Sequence, residues 1–228
     1  MIREKNISCA GKPDFEITGS PKAKRIQNAI ILTGNKFIGH IAGVKKNYKL
    51  KVLNEKQLTQ EFVALLRRTL KNQEFPFCLG QEYSDICTEG ANTKRAVDFY
   101  FYSSEEDRKT KSIYSVEAKR LPSPPPKERE KEYIIGHEKN KGGIERFKNE
   151  EHGKGLPECG MLGFVEDKSF AHWFCEINKW IANLTKFGNW KLSESLKNLQ
   201  QCKTYAKSYS SSHRPTDDLV LFHFWIKI

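Results

Sequence analysis

The sequence predicts an α/β domain of 228 residues, on three observations. Residues 55–72 place Leu58, Phe62, Leu65, Leu66 and Leu70 at helical spacings that make one apolar face. Residues 95–102 and 112–120 read RAVDFYFY and SIYSVEAKR, two runs rich in aromatic and β-branched residues that alternate with the period of a strand. Residues 169–184 and 219–228 supply a second amphipathic helix and a final apolar strand, so helices and strands interleave along the chain.

Taken in order, residues 1–25 are polar and basic and are broken by Gly11, Pro13, Gly19 and Pro21, which predicts an irregular arm or short edge strands. Residues 26–44 mix apolar positions with Gly34, Gly39 and Gly43, the pattern of a short helix followed by strand or turn. After the helix over 55–72, a turn is expected around 75–80, a strand over 81–87 and a turn over 90–93. The runs 95–102 and 112–120 then form a hairpin around the charged turn 103–111. Pro122, Pro124, Pro125 and Pro126 precede KEREKE, so 121–141 reads as a long connection with one short exposed helix, either serving a site or simply solvated.

Gly142 and Gly143 open a helix through Glu151, with Ile144 and Phe147 on one side and Gly153 beyond its end. MLGFVE at 161–166 reads as a short buried strand, and Ser169 as the N-cap of the helix that follows. A further helix is expected over 190–206, a polar loop at SYSSSHRPTDD, and a last strand that joins the sheet. Trp173, Phe174 and Trp180, with Phe222, Phe224 and Trp225, have the periodicity of core residues. The expected organisation is a single domain: an N-terminal extension (1–54), a core (55–166), and C-terminal helices with the final strand (167–228).

Apolar residues make up 38% of the chain and charged residues 29%, a balance that argues against disorder and for a packed core. No apolar run approaches the roughly 20 residues of a membrane span, and the first residues lack the apolar segment of a secretory signal. A cytoplasmic location without a membrane partner is the expectation. Cys9, Cys78, Cys87, Cys159, Cys175 and Cys202 form no CxxC pair and have no histidine at zinc spacing, which favours free, mostly buried thiols over disulfides or structural zinc. A net charge of +11 creates a field that attracts polyanions, nucleic acid first among them.

A field is not a site, and the site is sought on the hairpin. Side chains two residues apart on a strand share a face, about 6 to 7 Å from one another. Glu117 and Lys119 therefore point the same way, and pairing of the two strands brings Asp98 alongside Glu117. A Glu–Lys pair on a strand is commonly just a solvated ion pair. Asp98, however, interrupts an otherwise apolar and aromatic strand, and buried charge needs a reason. Two close carboxylates repel unless a cation lies between them. Mg²⁺ suits such hard oxygen ligands and keeps several waters, so Asp98, Glu117, the backbone carbonyl of Ala118 and a substrate phosphate complete a plausible shell, with Mn²⁺ as a substitute. Lys119 would orient the attacking water or stabilise charge on the phosphoryl oxygens.

With Asp98 in RAVDFYF as first acid and Glu117-Ala118-Lys119 as the ExK element, the chain resembles the PD-(D/E)XK nuclease superfamily over roughly residues 55–166. Val97 stands where the motif often has proline. The resemblance implies a restriction endonuclease-like core, αβββαβ, with a central mixed sheet flanked by helices and extra elements at both ends. It also implies an acid on the first helix that assists metal binding; Glu61 is the matching position, with Glu82 and Asp85 as competitors. GGIERF and GMLGFVE are similar to segments of uncharacterised bacterial nuclease-like proteins associated with restriction or genome defence.

Nucleic-acid contacts are expected from Tyr100, which with Tyr102 shares the face of Asp98, from Arg146 on the helix after the site, and from His213 and Arg214 behind the serine run. For the last three the plain alternatives are a helix surface and a polar turn, and His137 reads as a loop histidine. The expected function is a Mg²⁺-dependent endonuclease acting on DNA rather than RNA, in restriction or genome defence, as a homodimer or with a partner defence subunit. The alternative is a catalytically silent subunit that binds nucleic acid or assembles with others.

Overall fold

Ser20 holds extended backbone and its Oγ accepts the N–H of Ala23, while Pro21 follows at the one helical position where its missing N–H costs nothing. From this cap a helix, α1 (Pro21–Tyr48), runs for 28 residues. The computed structural model describes residues 19–49, 52–71, 75–83, 97–103, 112–137 and 141–228. The strand or turn expected within 26–44 is replaced by continuous helix. Ile26, Ile30, Phe37 and Ile41 are buried along it. Full burial of each contributes about 1.5–3 kcal/mol, which exceeds the ~1 kcal/mol that an interior glycine costs a helix. Gly34 has a packing role of its own, since a Cβ there would stand 3.1 Å from the ring of Tyr205 and 3.3 Å from Ile226.

Asn54 and Gln57 exchange side-chain to backbone hydrogen bonds of 2.9 Å each, a capping box that starts α2 (Glu55–Lys71) and fixes Glu55 at its first position. Leu58, Phe62, Leu66 and Leu70 are buried on its inner face, as their spacing predicts.

Among the described residues seven strands make one mixed sheet: β1 (Phe77–Tyr83), β2 (Val97–Ser103), β3 (Tyr114–Leu121), β4 (Glu158–Val165), β5 (Lys197–Gln201), β6 (Tyr205–His213) and β7 (Asp218–Lys227). Their order is β1-β2-β3-β4-β7-β6-β5, with β3, β4 and β7 mutually parallel in the centre and antiparallel pairs on either side. Central strands covered on both faces read as nearly continuous apolar runs, which is why β7 is LVLFHFWI over most of its length. Val116, Ala118, Phe99, Phe101, Leu162, Phe164, Phe222 and Phe224 face α1 and α2. Residues read as an N-terminal extension thus contribute to the main core.

Met161, Val165, Leu221 and Trp225 face the other layer, built from α3 (Gly143–Lys148), α4 (Phe170–Leu184) and the connection after β3. That connection is packed rather than solvated at its end: Tyr133 and Ile134 are fully buried. The indole N–H of Trp225 donates to Tyr133 Oη at 2.9 Å, and the Tyr133 hydroxyl and Ser210 lie 2.9 Å from the two ring nitrogens of His223. Burial pushes His223 down to about 3, so this ring stays neutral within the network.

Ser169 caps α4 as expected, accepting the N–H of His172. The helix expected over 190–206 is instead a 3₁₀ turn (Leu192–Glu194), β5 and the start of β6, and most of the expected polar loop is β6. Its serines alternate: Ser208, Ser210 and Ser212 are buried on one side while the strand pairs with β7 along its length. The expected strand over 81–87 begins earlier, at Phe77, and α3 ends at Lys148 rather than Glu151. The irregular arm expected over 1–25 gives way to α1 from Pro21, where Ser20 and Pro21 start a helix, and Ser103 of the turn expected over 103–111 ends β2. Residues 1–18, 90–93 and 104–111, with Asp85, Cys9 and Cys87, lie outside the described residues. Cys78, Cys159, Cys175 and Cys202 are free thiols; Cys159 is buried and Cys175 exposed. No described helix is long and apolar enough to cross a membrane.

Candidate functional site

The register of β2 and β3 pairs Phe99 with Val116, Tyr100 with Ser115 and Phe101 with Tyr114. One step further along the same register places Asp98 opposite Glu117, on the sheet face turned away from α1 and α2, where facing Cβ atoms sit about 5 Å apart. Asp98 Oδ2 accepts the backbone N–H of Ala118 at 2.7 Å, which ties its carboxyl to the centre of the Glu117-Ala118-Lys119 triplet. Glu117 and Lys119 are 2% and 6% exposed and their side chains meet at 3.0 Å. The three residues singled out by alternation are therefore together.

Lys119 has a second acidic partner. Glu55, seated at the start of α2 by its capping box, takes Lys119 Nζ at 3.1 Å on one oxygen and the N–H of Arg120 at 3.1 Å on the other. Glu61, the helix acid expected here, instead pairs with His40 of α1 at 2.8 Å. The helix acid of this group is Glu55, which sequence reasoning passed over because a first-turn glutamate looks like an ordinary helix-start residue. Its signal was the box Asn54 to Gln57 around it.

Glu117 has two further partners from beyond the hairpin. Arg146 Nη1 of α3 lies 3.2 Å from Oε1, and His152 Nε2 lies 3.3 Å from Oε2. His152 is fully buried, edge-on to Phe147, with Nδ1 3.1 Å from the carbonyl of Glu151. Arg146 Nε donates to the carbonyl of Lys141 at 3.1 Å. His152 was not anticipated; nothing in a single histidine after a short helix marks it.

These surroundings drive the two facing carboxyls apart. Burial, reinforced by Glu117 and more weakly by Glu55, pushes Asp98 up to about 8, against the opposing pull of Lys119 and the Ala118 N–H. Burial alone would also raise Glu117, but Lys119, His152 and Arg146 outweigh it and hold that carboxyl well below the usual carboxylate range. Lys119 is held up as an ammonium, because Glu117, Glu55 and Asp98 outweigh its own desolvation. At neutral pH one acid is neutral and its neighbour charged.

Among the described residues no three His, Cys, Asp or Glu side chains converge as a ready metal cage. What the site offers is two facing carboxyls beside the backbone of Ala118, a hard-oxygen set that fits Mg²⁺ or Mn²⁺, ions that keep several waters of their own.

Tyr100 is half-buried on the face of Asp98; its ring lies over Gly80, where a Cβ would come within 2.3 Å, and 5.6 Å from that of Tyr102. Arg146 is at the site, on Glu117. His213 and Arg214 belong elsewhere. Arg214 is buried, ion-paired with Asp217 and donating to the carbonyls of Gly153 (2.8 Å) and Leu156 (2.9 Å), so its guanidinium closes turns instead of facing a ligand. His213 pairs with Asp218 at 2.8 Å and reaches Ser193 at 3.3 Å. His137 is exposed in a loop, and the side chain of Glu82 lies outside the described residues. No protein-family model, no curated protein and no solved structure matches the chain, and the site is read from its own geometry.

Proposed function

We propose that the chain is a metal-dependent nuclease that hydrolyses phosphodiester bonds, with a restriction endonuclease-like core, acting on DNA in restriction or genome defence in the cytoplasm. One observation carries the reading: Asp98 is tied to the Ala118 N–H while Glu117 and Lys119 meet on the same desolvated sheet face. The element order α2-β1-β2-β3-α3-β4, with β3 and β4 parallel, supports it as the αβββαβ order of the PD-(D/E)XK superfamily. The charge of +11 supports a polyanionic substrate.

A Mg²⁺ or Mn²⁺ ion held by Asp98, Glu117 and the carbonyl of Ala118 would supply Lewis acidity toward the phosphate and acidify a water. The side chains do the rest. Asp98 would serve as a ligand in its ionised form, its proton passing to solvent. Lys119, already an ammonium, donates to the phosphoryl oxygens where charge develops or orients the water that attacks. Glu55 positions Lys119 as a second carboxylate on Nζ beside Glu117, and Tyr100 floors the approach. Cutting both strands of a duplex calls for a second site, from a homodimer or a partner subunit.

The test is nicking of supercoiled plasmid with Mg²⁺ or Mn²⁺ by wild type and Lys119→Ala. Cleavage by the wild type that the variant loses supports the assignment, and equal cleavage by both refutes the role of Lys119. A second reading has its own support: Glu117 already carries three positively charged or protonatable partners, as in a site that has traded its metal for side chains. That reading, a silent nucleic-acid-binding subunit, expects strong salt-dependent DNA binding with no cleavage in any divalent metal.

A further inference from the structure

We propose that Arg146 is a gate on Glu117, withholding that carboxylate from a divalent cation until a nucleic-acid phosphate draws the guanidinium away. The inference rests on reading Asp98 and Glu117 as metal ligands and goes beyond it, by coupling the loading of the metal to the arrival of substrate.

Both oxygens of Glu117 are occupied. Oε1 faces Lys119 Nζ at 3.0 Å and Arg146 Nη1 at 3.2 Å, and Oε2 faces His152 Nε2 at 3.3 Å. A cation between Glu117 and Asp98 needs one of these partners to yield. Lys119 is poorly placed to do so, because Glu55 also holds it, at 3.1 Å, and its side chain is only 8% exposed. His152 is worse placed, with no exposed side-chain surface and its second nitrogen against the Glu151 carbonyl. Arg146 is the least enclosed of the three: its side chain is 25% exposed and it meets Glu117 through Nη1 alone. Its other holds are one carbonyl, Lys141 O at 3.1 Å from Nε, and His152 Nε2 at 3.5 Å from Nη1, and Nη2 has no partner among the described residues.

Nη2 can take a phosphate oxygen first, and once Nη1 leaves Glu117 the two terminal nitrogens form a fork that matches a phosphate. In the free protein its charge competes with the incoming ion for Oε1. Once turned onto a phosphate it vacates that oxygen and adds a contact to the substrate. Because coupling between two ligands is reciprocal, a phosphate that removes Arg146 from Glu117 tightens the metal by the same factor that the metal tightens the phosphate.

The experiment measures Mn²⁺ affinity by calorimetry on the metal-free full chain, with and without a DNA duplex whose phosphorothioate linkages resist cleavage. Wild type, Arg146→Gln and Arg146→Lys are compared, with circular dichroism as the check on folding. Without DNA, R146Q is expected to bind Mn²⁺ at least about 5-fold more tightly than wild type, the lower end of site–site couplings. DNA then tightens Mn²⁺ binding to wild type by more than to R146Q, by that same factor. R146K, which keeps the charge, stays close to wild type without DNA. The gate is overturned if R146Q binds Mn²⁺ no more tightly than wild type, or if DNA tightens both equally. If DNA binds but Mn²⁺ binds no form of the protein, the metal reading falls and the gate with it; Mn²⁺ binding to wild type with no effect of R146Q removes the gate alone.

Discussion

Replacing Asp98 by asparagine removes the titration of a carboxyl that is buried, first of all, and stands opposite Glu117. The side chain of aspartate ordinarily titrates near 3.8, whereas Asp98 is pushed up to about 8. That separation of about 4 units, at 1.36 kcal/mol each, amounts to ~6 kcal/mol between the two protonation states. Partial exposure of Asp98 makes this an upper figure. The sign follows from which state holds the proton: between about pH 4 and 8 the folded protein binds it and the unfolded chain does not. Stability from this group is therefore complete below about pH 4 and is lost as pH rises through about 8. Integrated between about pH 6 and 8, the loss is about 2 kcal/mol. Urea unfolding in a chelator at these two pH values should show wild type losing about 2 kcal/mol more than D98N, which has no proton to lose there. Parallel behaviour of the two proteins would refute the desolvated-carboxyl account. On the metal-dependent reading divalent metal would run the other way, because it would bind only the ionised carboxyl. Affinity for Mg²⁺ is expected to rise about tenfold per pH unit up to about pH 8 and then level off.

The other predictions concern the neighbours of this group. Lys119→Met removes a cation buried between Glu117 and Glu55, and should cost about 3–5 kcal/mol in urea unfolding along with at least ~10²-fold in metal-dependent plasmid nicking. Wild-type stability in this variant would mean that the ion pairs at 3.0 and 3.1 Å contribute nothing net. Glu55→Gln should lower nicking activity while Glu61→Gln leaves it intact, since only Glu55 touches Lys119; the reverse order would restore the helix acid expected from sequence. Arg214→Ala should destabilise by about 1–3 kcal/mol through the carbonyls of Gly153 and Leu156 it leaves unpaired, with no change in the salt dependence of DNA binding. A shallower salt slope would return Arg214 to the nucleic-acid surface.

Period-two alternation was enough to bring Asp98, Glu117 and Lys119 together, because a strand leaves each side chain only two directions and one of them was plainly core. The same logic identified α2, α4 and β7 from their apolar faces. It failed where small or polar residues are buried. In β6 the row Ser208, Ser210 and Ser212 carries no hydrophobic signal, yet it is buried beside β7 in the same sheet, with Ser210 on His223. In α1 the three glycines suggested a break, but burial of Ile30, Phe37 and Ile41 against the sheet overrides local propensity. Arg146 and His152 reach Glu117 from a segment about 30 residues away, through the packing of Tyr133, Ile144 and Phe147, and no local pattern encodes that approach.

The ion pairs around Glu117 also bear on how the two readings of the chain divide. With Asp98 protonated, the negative charges of Glu117 and Glu55 are matched by the positive charges of Lys119 and Arg146, His152 apart, so the cluster is close to neutral. Adding a divalent cation and ionising Asp98 leaves one positive charge in excess, which a desolvated site holds only at a cost. A phosphodiester, with its single negative charge, restores the balance. The cluster is thus electrostatically satisfied when empty and when it holds both ion and substrate, and unsatisfied with the ion alone. A site that had abandoned hydrolysis would need only the first of these states, and nothing in it would require Asp98 to remain a titratable acid opposite Glu117. If D98N bound DNA as wild type does but no longer gained affinity from Mn²⁺, that residue would be retained for the second state, and the silent reading would lose its support.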